Sequence, residues 1–289
     1  MNTASLKISA PASRQFWEIE ILYEDPSLMV LDKPPGLLTS PEAAFPNEPA
    51  LMALLHAAIA DGKPWAQTRQ ISHLSCPLRL DTDTSGLLIL AKDKTVHSAL
   101  ADAFGTETPI RRHLAIVRGI PSEKVFEINA PLASHPFQPG LSKVDLREGK
   151  KSKTRVEVIE TFPRHEYSFL QCDLLTQRPC QIPVHLQHIG LTVAGDKNHG
   201  GKPLWLSRLK KDYRLKPGRE ERPLLQRSAV HASEIRLKHP VSHEDMQWTC
   251  PLPKDFKTAL KYLRLYDQPS GQDSSSPDPS SHFPPVPFD

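Results

Sequence analysis

Short apolar runs, each about as long as one strand, are separated by polar turns along the chain. The most continuous run covers residues 87–91; it follows the turn-forming stretch 81–86, Asp-Thr-Asp-Thr-Ser-Gly, and precedes Lys92. An apolar run bounded in this way predicts a buried strand. Further strands are predicted at residues 28–31, 113–117, 154–160, 167–175 and 230–237, and residues 19–27 run from a strand into a turn.

Four segments carry apolar residues at helical spacing instead. The first can be capped by Asn47, with Pro49 in its first turn and Gly62 at its end. The other three cover residues 93–104, 181–189 and 255–265. Short strands mixed with few helices, without regular strand–helix alternation, predict the α+β class with a mixed sheet.

No boundary stands out between residues 18 and 266, so this stretch is predicted to form one domain. Residues 1–17 carry no periodic signal and are predicted to form a mobile N-terminal arm. Residues 208–222 are highly charged and are predicted as a solvated loop or helix face. Residues 267–289 form a Pro/Ser-rich tail that cannot bury enough apolar surface to offset the entropy of ordering, so we expect disorder there.

The charge balance is mildly basic, with a net charge of +3. The last 22 residues hold three Asp and no Lys or Arg, so the remainder has 36 basic against 30 acidic side chains, a net +6. That sign suits a polyanionic partner without requiring one. The four cysteines are scattered, which argues against a zinc or disulfide scaffold and favours a reducing cytoplasm. With no apolar window near the roughly 18 residues of a span and no signal-peptide pattern, we expect no membrane association.

The candidate chemistry is centred on Asp81, a carboxylate that comes just after Leu80 in the turn 81–86. Short polar side chains bond to nearby backbone and Gly86 accepts a positive φ, so this stretch favours a tight turn. An acid held on a rigid element at the mouth of a strand is a frequent place for catalysis. The same residues also fit a structural turn whose acid caps backbone amides, and the local pattern leaves both interpretations open.

Four blocks in chain order resemble the RluA-type pseudouridine synthases, over about residues 18–260. The blocks are residues 21–25 with 30–36, residues 79–88, residues 181–186 with 195–197, and residues 230–232 with 239–240 and 251–253. The second block resembles the family's catalytic pattern H-R-L-D-x-x-T-S-G. One block alone is a weak signal, whereas four in order indicate the family.

The resemblance implies a single catalytic domain built on a mixed, mainly antiparallel sheet with an active-site cleft. It also implies a cofactor-free isomerase that breaks the N1–C1′ bond of uridine in structured RNA, ribosomal or transfer RNA, and rejoins C5 to C1′. Asp81 stands at the position of the essential carboxylate, which attacks the sugar or base or assists glycal formation; either role is open to a carboxylate without a metal. The target uridine must leave the base stack. We expect RNA as the partner of a cytoplasmic monomer.

Polar and basic residues in or near the blocks are predicted to contact RNA. They are Lys33, Arg79, Thr84, Ser85, Arg111, Arg112, His113, Lys151, Lys153, Arg178, Gln181 and His185. By the resemblance, Arg79 fills the gap that the flipped base leaves, a task that suits a planar guanidinium. The alternative for Arg79 is a salt bridge to Asp81 or Asp83. The basic loops, with Lys150, Lys151 and Lys153 in one and residues 208–211 in the other, also fit ordinary solvated surface.

Several positions depart from the family pattern. Leu78 replaces a histidine, His113 replaces a tyrosine that stacks on the target uracil, and residues 177–180, Gln-Arg-Pro-Cys, replace G-R-T-H. Histidine can also stack on a base. Pro183 replaces an arginine that pairs with the catalytic aspartate; the backbone tolerates proline there because position 183 falls in the first turn of a helix.

The lost arginine bears on the ionisation of Asp81. An adjacent arginine lowers an aspartate pKa by about 1–3 units, whereas burial raises it by up to about 3–5. A buried, unpaired Asp81 drifts towards neutrality unless water or another cation reaches it. Arg178, Arg79 and His185 are the candidate replacements, and we expect activity to be retained or weakened.

Two other functions fit parts of the sequence. The first is a relative that binds RNA without isomerising it, which the proline at position 183 favours. A cation near Asp81 distinguishes the isomerase from this relative. Residues 81–84 also resemble the D-x-D-x-T turn of haloacid-dehalogenase-type phosphatases, which use Mg²⁺, but a poor strand precedes them and Asp196 has no acidic neighbour. No metal is expected, since no cysteine completes a set with the histidines. These histidines are His185, His188, His199 and His231.

Overall fold

The computed structural model describes residues 5–267, which contain thirteen strands and six α-helices. The strands are β1 (Ser5–Ala10), β2 (Gln15–Glu24), β3 (Leu28–Lys33), β4 (Ser85–Ala91), β5 (Ile110–Arg118), β6 (Val125–Asn129), β7 (Leu132–Ser134), β8 (Ser142–Val144), β9 (Lys153–Phe162), β10 (Tyr167–Leu174), β11 (Thr192–Val193), β12 (Val230–Lys238) and β13 (Asp245–Thr249). The helices are α1 (Leu51–Ala60), α2 (Pro64–Thr68), α3 (Lys94–Phe104), α4 (Gln181–His188), α5 (Leu206–Leu209) and α6 (Lys254–Asp267).

Eleven of the described strands form one sheet in the order β1-β2-β3-β4-β12-β5-β10-β9-β6, with β11 beside β5 and β13 beside β12. Strands β7 and β8 form a separate pair. Strands β4 and β12 run parallel to each other, and the other neighbours in the described part of the sheet are antiparallel. The predicted α+β class with a mixed, mainly antiparallel sheet is therefore confirmed.

The parallel contact between β4 and β12 depends on a glycine. Gly86 has a φ of +109°, and a Cβ atom there would lie 2.2 Å from the carbonyl oxygen of Ala232. No side chain fits at that distance, so glycine lets the two backbones approach. The rest of β4 is buried along its whole length, as its apolar run predicts. The turn 81–84 is thereby anchored at the edge of a rigid strand.

Two apolar clusters cover the two halves of the sheet. The first joins β1–β4 with α1 and α3, through residues such as Leu31 and Leu55. The second joins β5, β9 and β10 with α4 and α6, through residues such as Leu170 and Phe256. Strand β12 contributes to both clusters. The turn 81–84 precedes a strand of the first half and α4 belongs to the second, so the two halves meet where the turn contacts the start of α4.

Each predicted strand and helix is present with shifted ends. The predicted helix over residues 93–104 is α3; Asp93 is its N-cap, and the Asp93 carboxylate accepts the Val96 N–H at 2.9 Å. Pro183 lies in the first turn of α4, where its missing N–H needs no partner, and this prediction is also confirmed. The predicted start of the first helix is wrong, since α1 begins at Leu51 with Ala50 at its N-cap.

The predicted mobile arm at residues 1–17 is corrected from residue 5 onward. Strand β1 pairs with β2 over its full length, and Leu6 and Ile8 are buried against the sheet. Residues 210–222 are irregular, in agreement with the predicted loop. The predicted disordered tail lies outside the described residues beyond Asp267. Within residues 5–267, no helix has both the length and the apolar character that crossing a membrane requires.

Candidate active site

A cleft of about 970 Å³ opens where the turn before β4 meets the start of α4. Most of its lining residues come from four stretches of the chain, residues 77–84, 177–183, 195–199 and 223–228, and others lie within residues 36–48, at 140–141 and at Asp255. The cleft that the sequence predicts is present, and Asp81 is among its lining residues.

The turn that carries Asp81 is fixed by bonds to its backbone. Lys33 Nζ donates to the carbonyl oxygens of Thr82 at 3.0 Å and of Thr84 at 2.9 Å. The N–H of Gly36 donates to the same Thr82 oxygen at 2.9 Å, and the N–H of Thr84 closes the turn onto the Asp81 carbonyl at 3.0 Å. Because groups outside the turn hold it on one side, the carboxylate is presented in a fixed position.

Lys33 is fully buried and has a structural task instead of the predicted RNA contact, which is corrected. Its third hydrogen bond goes to the Pro34 carbonyl at 2.9 Å. Burial lowers the pKa of Lys33 to about 7, against the charges of Asp81 and Asp83, which raise it. The Lys33 side chain is therefore committed to the turn and cannot reach RNA.

The Asp81 carboxylate is half-buried at the start of α4. Its Oδ1 accepts the backbone N–H of Cys180 at 3.0 Å, and Cys180 adopts a left-handed conformation (φ 53°) just before α4. Burial raises the pKa of Asp81; the Cys180 hydrogen bond and the charges of Lys33 and His199 oppose the rise, and Asp196 adds to it. No lysine or arginine among residues 5–267 forms an ion pair with Asp81, so the positive end of α4 is its nearest support.

Two of the three predicted replacement cations are occupied elsewhere. Arg79 is about half exposed at the cleft and pairs with Glu42 at 3.4 Å, not with an acid of the turn. His185 is fully buried, and its ring nitrogens bond to the Thr154 hydroxyl at 2.8 Å and to a backbone carbonyl at 2.9 Å. The predicted RNA contact of His185 is thus corrected to a structural role.

Arg178 is the remaining candidate and lines the same cleft as Asp81. One of its terminal nitrogens donates to the Gln177 carbonyl at 3.3 Å, and its buried Nε has no hydrogen-bond partner among the described residues. A partly buried guanidinium that lines a cleft and retains an unpaired donor is suited to bind an anion there.

The predicted RNA contacts of Arg111 and Arg112 are corrected. Arg111 is 1% exposed and donates to three backbone carbonyls at 2.8–3.3 Å. Arg112 pairs with Asp173 at 3.1 Å and with Glu234 at 2.7 Å, on the strands that flank β5. The buried Arg111 guanidinium is used inside the protein, because a buried charge needs partners. The Arg112 side chain is 23% exposed, but two carboxylates hold its guanidinium against the sheet.

Gln181, Lys153 and Lys151 differ in whether the side chain is free to contact RNA. Gln181 is 2% exposed and donates to the Lys153 carbonyl at 3.1 Å and to the Thr154 hydroxyl at 3.0 Å, which corrects its predicted RNA contact. Lys153 forms an ion pair with a glutamate of β6 at 2.8 Å. Lys151 is 71% exposed and pairs loosely with Glu107 at 3.4 Å, so it stays accessible to a partner.

Thr84, Ser85 and His113 surround the base of the turn. Thr84 is buried and lines the cleft. Ser85 is buried too, with its hydroxyl 3.0 Å from His231 Nδ1 and 3.2 Å from a donating nitrogen of Arg227, so its predicted RNA contact is corrected. His113 is buried beside a small cavity that it shares with the turn, and it stays a candidate for stacking on a base.

The buried histidines predict acid sensitivity. Burial lowers the pKa of both His113 and His231 to about 4, below the usual value of about 6.5. Between these values the unfolded chain binds more protons, so this contribution to stability is complete above pH of about 6.5 and is lost as the pH falls to about 4. We expect a loss of about 3 kcal/mol per histidine, measured by urea unfolding at pH 7, 5.5 and 4.5. A smaller decrease in His113→Asn would support this assignment, and a stability that stays flat down to pH 4.5 would refute it.

Sequence reasoning missed the residues that close the far side of the cleft. Arg227 donates to the Asp83 carbonyl at 2.8 Å and pairs with Asp255 at 2.7 Å. Asp196 accepts from His199 Nδ1 at 3.0 Å. A local signal existed for Arg227, which lies three residues before the block 230–232, but its partners are distant in sequence.

Comparison with known proteins adds independent information. Residues 27–188 match the profile of the family described as RNA pseudouridylate synthase. A ribosomal large subunit pseudouridine synthase D of Pseudomonas aeruginosa is 32% identical over 252 residues, which cover 86% of this chain and 72% of that protein. The protein of the same name from Haemophilus influenzae is 31% identical over 246 residues, covering 85% and 71%. The structure of human RNA pseudouridylate synthase domain containing 4 shares the fold, with a TM-score of 0.61 at 20% identity over 84% of this chain and 92% of that one.

The fold, the cleft and these matches define the class of protein as an isomerase of RNA. The chain belongs to the RNA pseudouridylate synthase family. The resemblance that its four sequence blocks predict is confirmed.

Proposed function

We propose that this enzyme converts uridine to pseudouridine in ribosomal RNA of the large subunit, with Asp81 as its essential carboxylate. The position of Asp81 carries the proposal: it is half-buried in a cleft, on a turn fixed by Lys33, with its carboxylate on the amide before α4. The relatives named for the large ribosomal subunit support this choice of RNA.

The reaction is an exchange of bonds within one nucleoside. The N1–C1′ bond breaks, C5 joins C1′, and a proton leaves C5 while N1 gains one, so no atom enters or leaves overall. The ionised Asp81 either attacks an electron-poor carbon of the nucleoside or stabilises the charge that develops at C1′. The Cys180 amide and the start of α4 favour this ionised form against burial.

The rim of the cleft supplies cations for the phosphates around an extruded nucleotide. Arg79, Arg178 and Lys197 are among its lining residues. Lys151 is 71% exposed and remains a further candidate for a phosphate contact. We propose further that a monomer acts in the cytoplasm; its four cysteines are free thiols, which suits a reducing compartment.

Mapping pseudouridines by mass spectrometry tests the function. Ribosomal and transfer RNA from cells with and without the protein should differ at uridines of large-subunit RNA, and expression of the protein should restore them. A difference confined to transfer RNA would contradict the proposed substrate, and no difference in either RNA would contradict the proposed reaction.

Arg178→Gln is expected to weaken RNA binding about tenfold and to reduce the slope of log affinity against log salt by about one phosphate contact. The reason is that Arg178 lines the cleft and its Nε has no hydrogen-bond partner among the described residues. Filter binding over a salt series measures both quantities. Arg155→Gln is the matched control, because it removes the same charge from an exposed strand position that does not line the cleft. Equal effects of the two substitutions would show that only overall charge matters.

A further inference from the structure

His199 is a buried histidine with two different ring nitrogens. One forms a hydrogen bond, and the other has no partner among the described residues. His199 is 5% exposed, and its Nδ1 lies 3.0 Å from Asp196 Oδ1. The same oxygen accepts the N–H groups of Asn198 and His199 at 3.1 Å, and the other carboxylate oxygen accepts the Ser228 hydroxyl at 3.0 Å. The carboxylate that holds the imidazole is therefore itself fixed.

This arrangement determines which nitrogen carries the proton. A carboxylate accepts hydrogen bonds, so it selects the form of His199 that is protonated on Nδ1. The lone pair is then on Nε2, which is buried and has no partner among residues 5–267. A histidine oriented by a carboxylate, with a free basic nitrogen, is the arrangement that serves as a general base in many enzymes.

His199 belongs to the cleft of Asp81. His199 and Asp196 line the cleft together with Asp81. Other basic or nucleophilic groups nearby are less suitable. Burial raises the pKa of the Cys180 thiol, and burial lowers the pKa of His113 to about 4, which makes that ring a weak base.

We propose that His199 is a second catalytic residue, whose Nε2 removes the proton from C5 of the target base after C5 has joined C1′. This inference rests on the proposed function. In this step the C5–H bond breaks and its electron pair restores the C5=C6 double bond. The electrons of the C6=N1 bond return to N1, which takes a proton from water. Asp196 is a positioning residue, since it acts through the imidazole.

RNA that contains 5-fluorouridine separates this step from the earlier ones. Fluorine replaces the C5 hydrogen, so the base can be detached and rejoined through C5 without any C5 proton to remove. His199→Gln should lower kcat on uridine RNA by about 10²–10⁴-fold, the usual contribution of a general base. The same variant should convert 5-fluorouridine RNA to its rearranged base within about threefold of the wild-type rate.

Two further variants complete the test. His188→Gln changes an exposed histidine of α4 outside the cleft and should leave both rates unchanged. In His199→Ala, added imidazole should restore turnover of uridine RNA, which a purely structural histidine does not explain. Equal losses of His199→Gln on both RNAs, or full activity on uridine RNA, would overturn the assignment. If the wild-type protein converts neither RNA, the proposed function fails and the role of His199 fails with it.

Discussion

Asp81→Asn is expected to lower the rate of pseudouridine formation by more than about 10⁴-fold, as the loss of a reacting group does in other enzymes. Asparagine has nearly the same shape and its amide oxygen can still accept the Cys180 N–H. The change therefore removes the charge and the nucleophilic oxygen while it preserves the cleft. Pseudouridine released by nuclease digestion after a single turnover gives the rate.

Asp83→Asn is the matched control, two residues further along the same turn. Asp83 is exposed, and its backbone carbonyl, not its carboxylate, accepts the hydrogen bond of Arg227. We expect its rate to stay within about threefold of wild type. RNA affinity should be nearly unchanged in both variants. Comparable losses of rate in the two would mean that the charge of the turn, and not Asp81 itself, is required.

Lys33→Met is expected to reduce kcat by about 10²-fold and the free energy of unfolding by about 2–3 kcal/mol. The substitution leaves the carbonyls of Thr82 and Thr84 without their donor, and unsatisfied buried acceptors are costly. The turn that carries Asp81 then loses its fixed position, and a displacement of about 1 Å of a reacting group can cost 10²-fold in rate. Single-turnover rates and urea unfolding measure the two effects.

Lys92→Met separates loss of stability from loss of geometry. Lys92 is also largely buried, and its Nζ bonds to Glu24 at 2.8 Å and to the Asp25 carbonyl at 2.6 Å, next to the opposite end of β4. We expect lower stability with kcat within about twofold of wild type. If Lys33→Met behaves like Lys92→Met, Lys33 supports the fold without positioning the carboxylate.

The local pattern was sufficient to predict the elements that carry the chemistry. The run after Gly86 predicts β4, and the apolar spacing within residues 93–104 predicts α3, because each signal lies within the element itself. Strand β1 escaped prediction although Leu6 and Ile8 alternate with polar residues. Its apolar residues are few, and the partner that buries them is the next strand rather than its own segment.

The errors among site residues have one physical origin. In β5, alternate residues face opposite sides of the sheet, so Arg111 shares the buried face of His113. The sequence cannot show which face another element covers, or that carbonyls 5–63 residues away satisfy the Arg111 guanidinium. The same limit hid the contact between Asp81 and Cys180, 99 positions apart, and the coupling of His199 to the cleft.

Pro183 stands where the family has an arginine that pairs with the catalytic aspartate. Whether the protein catalyses the reaction is therefore the point that most needs a direct test. The protein holds Asp81 with an amide, a helix end and charges at longer range. Ionisation of the carboxylate then depends on the balance between burial and these groups. A relative that only binds RNA would keep the cleft and lose the reaction.

Release of tritium from [5-³H]uridine in a large-subunit ribosomal RNA transcript distinguishes an isomerase from an RNA-binding relative most directly. The C5 hydrogen leaves the base only when C5 joins the sugar. With the purified protein, we predict one tritium released for each pseudouridine formed, over more than one turnover. Tight RNA binding without any tritium release would contradict the account.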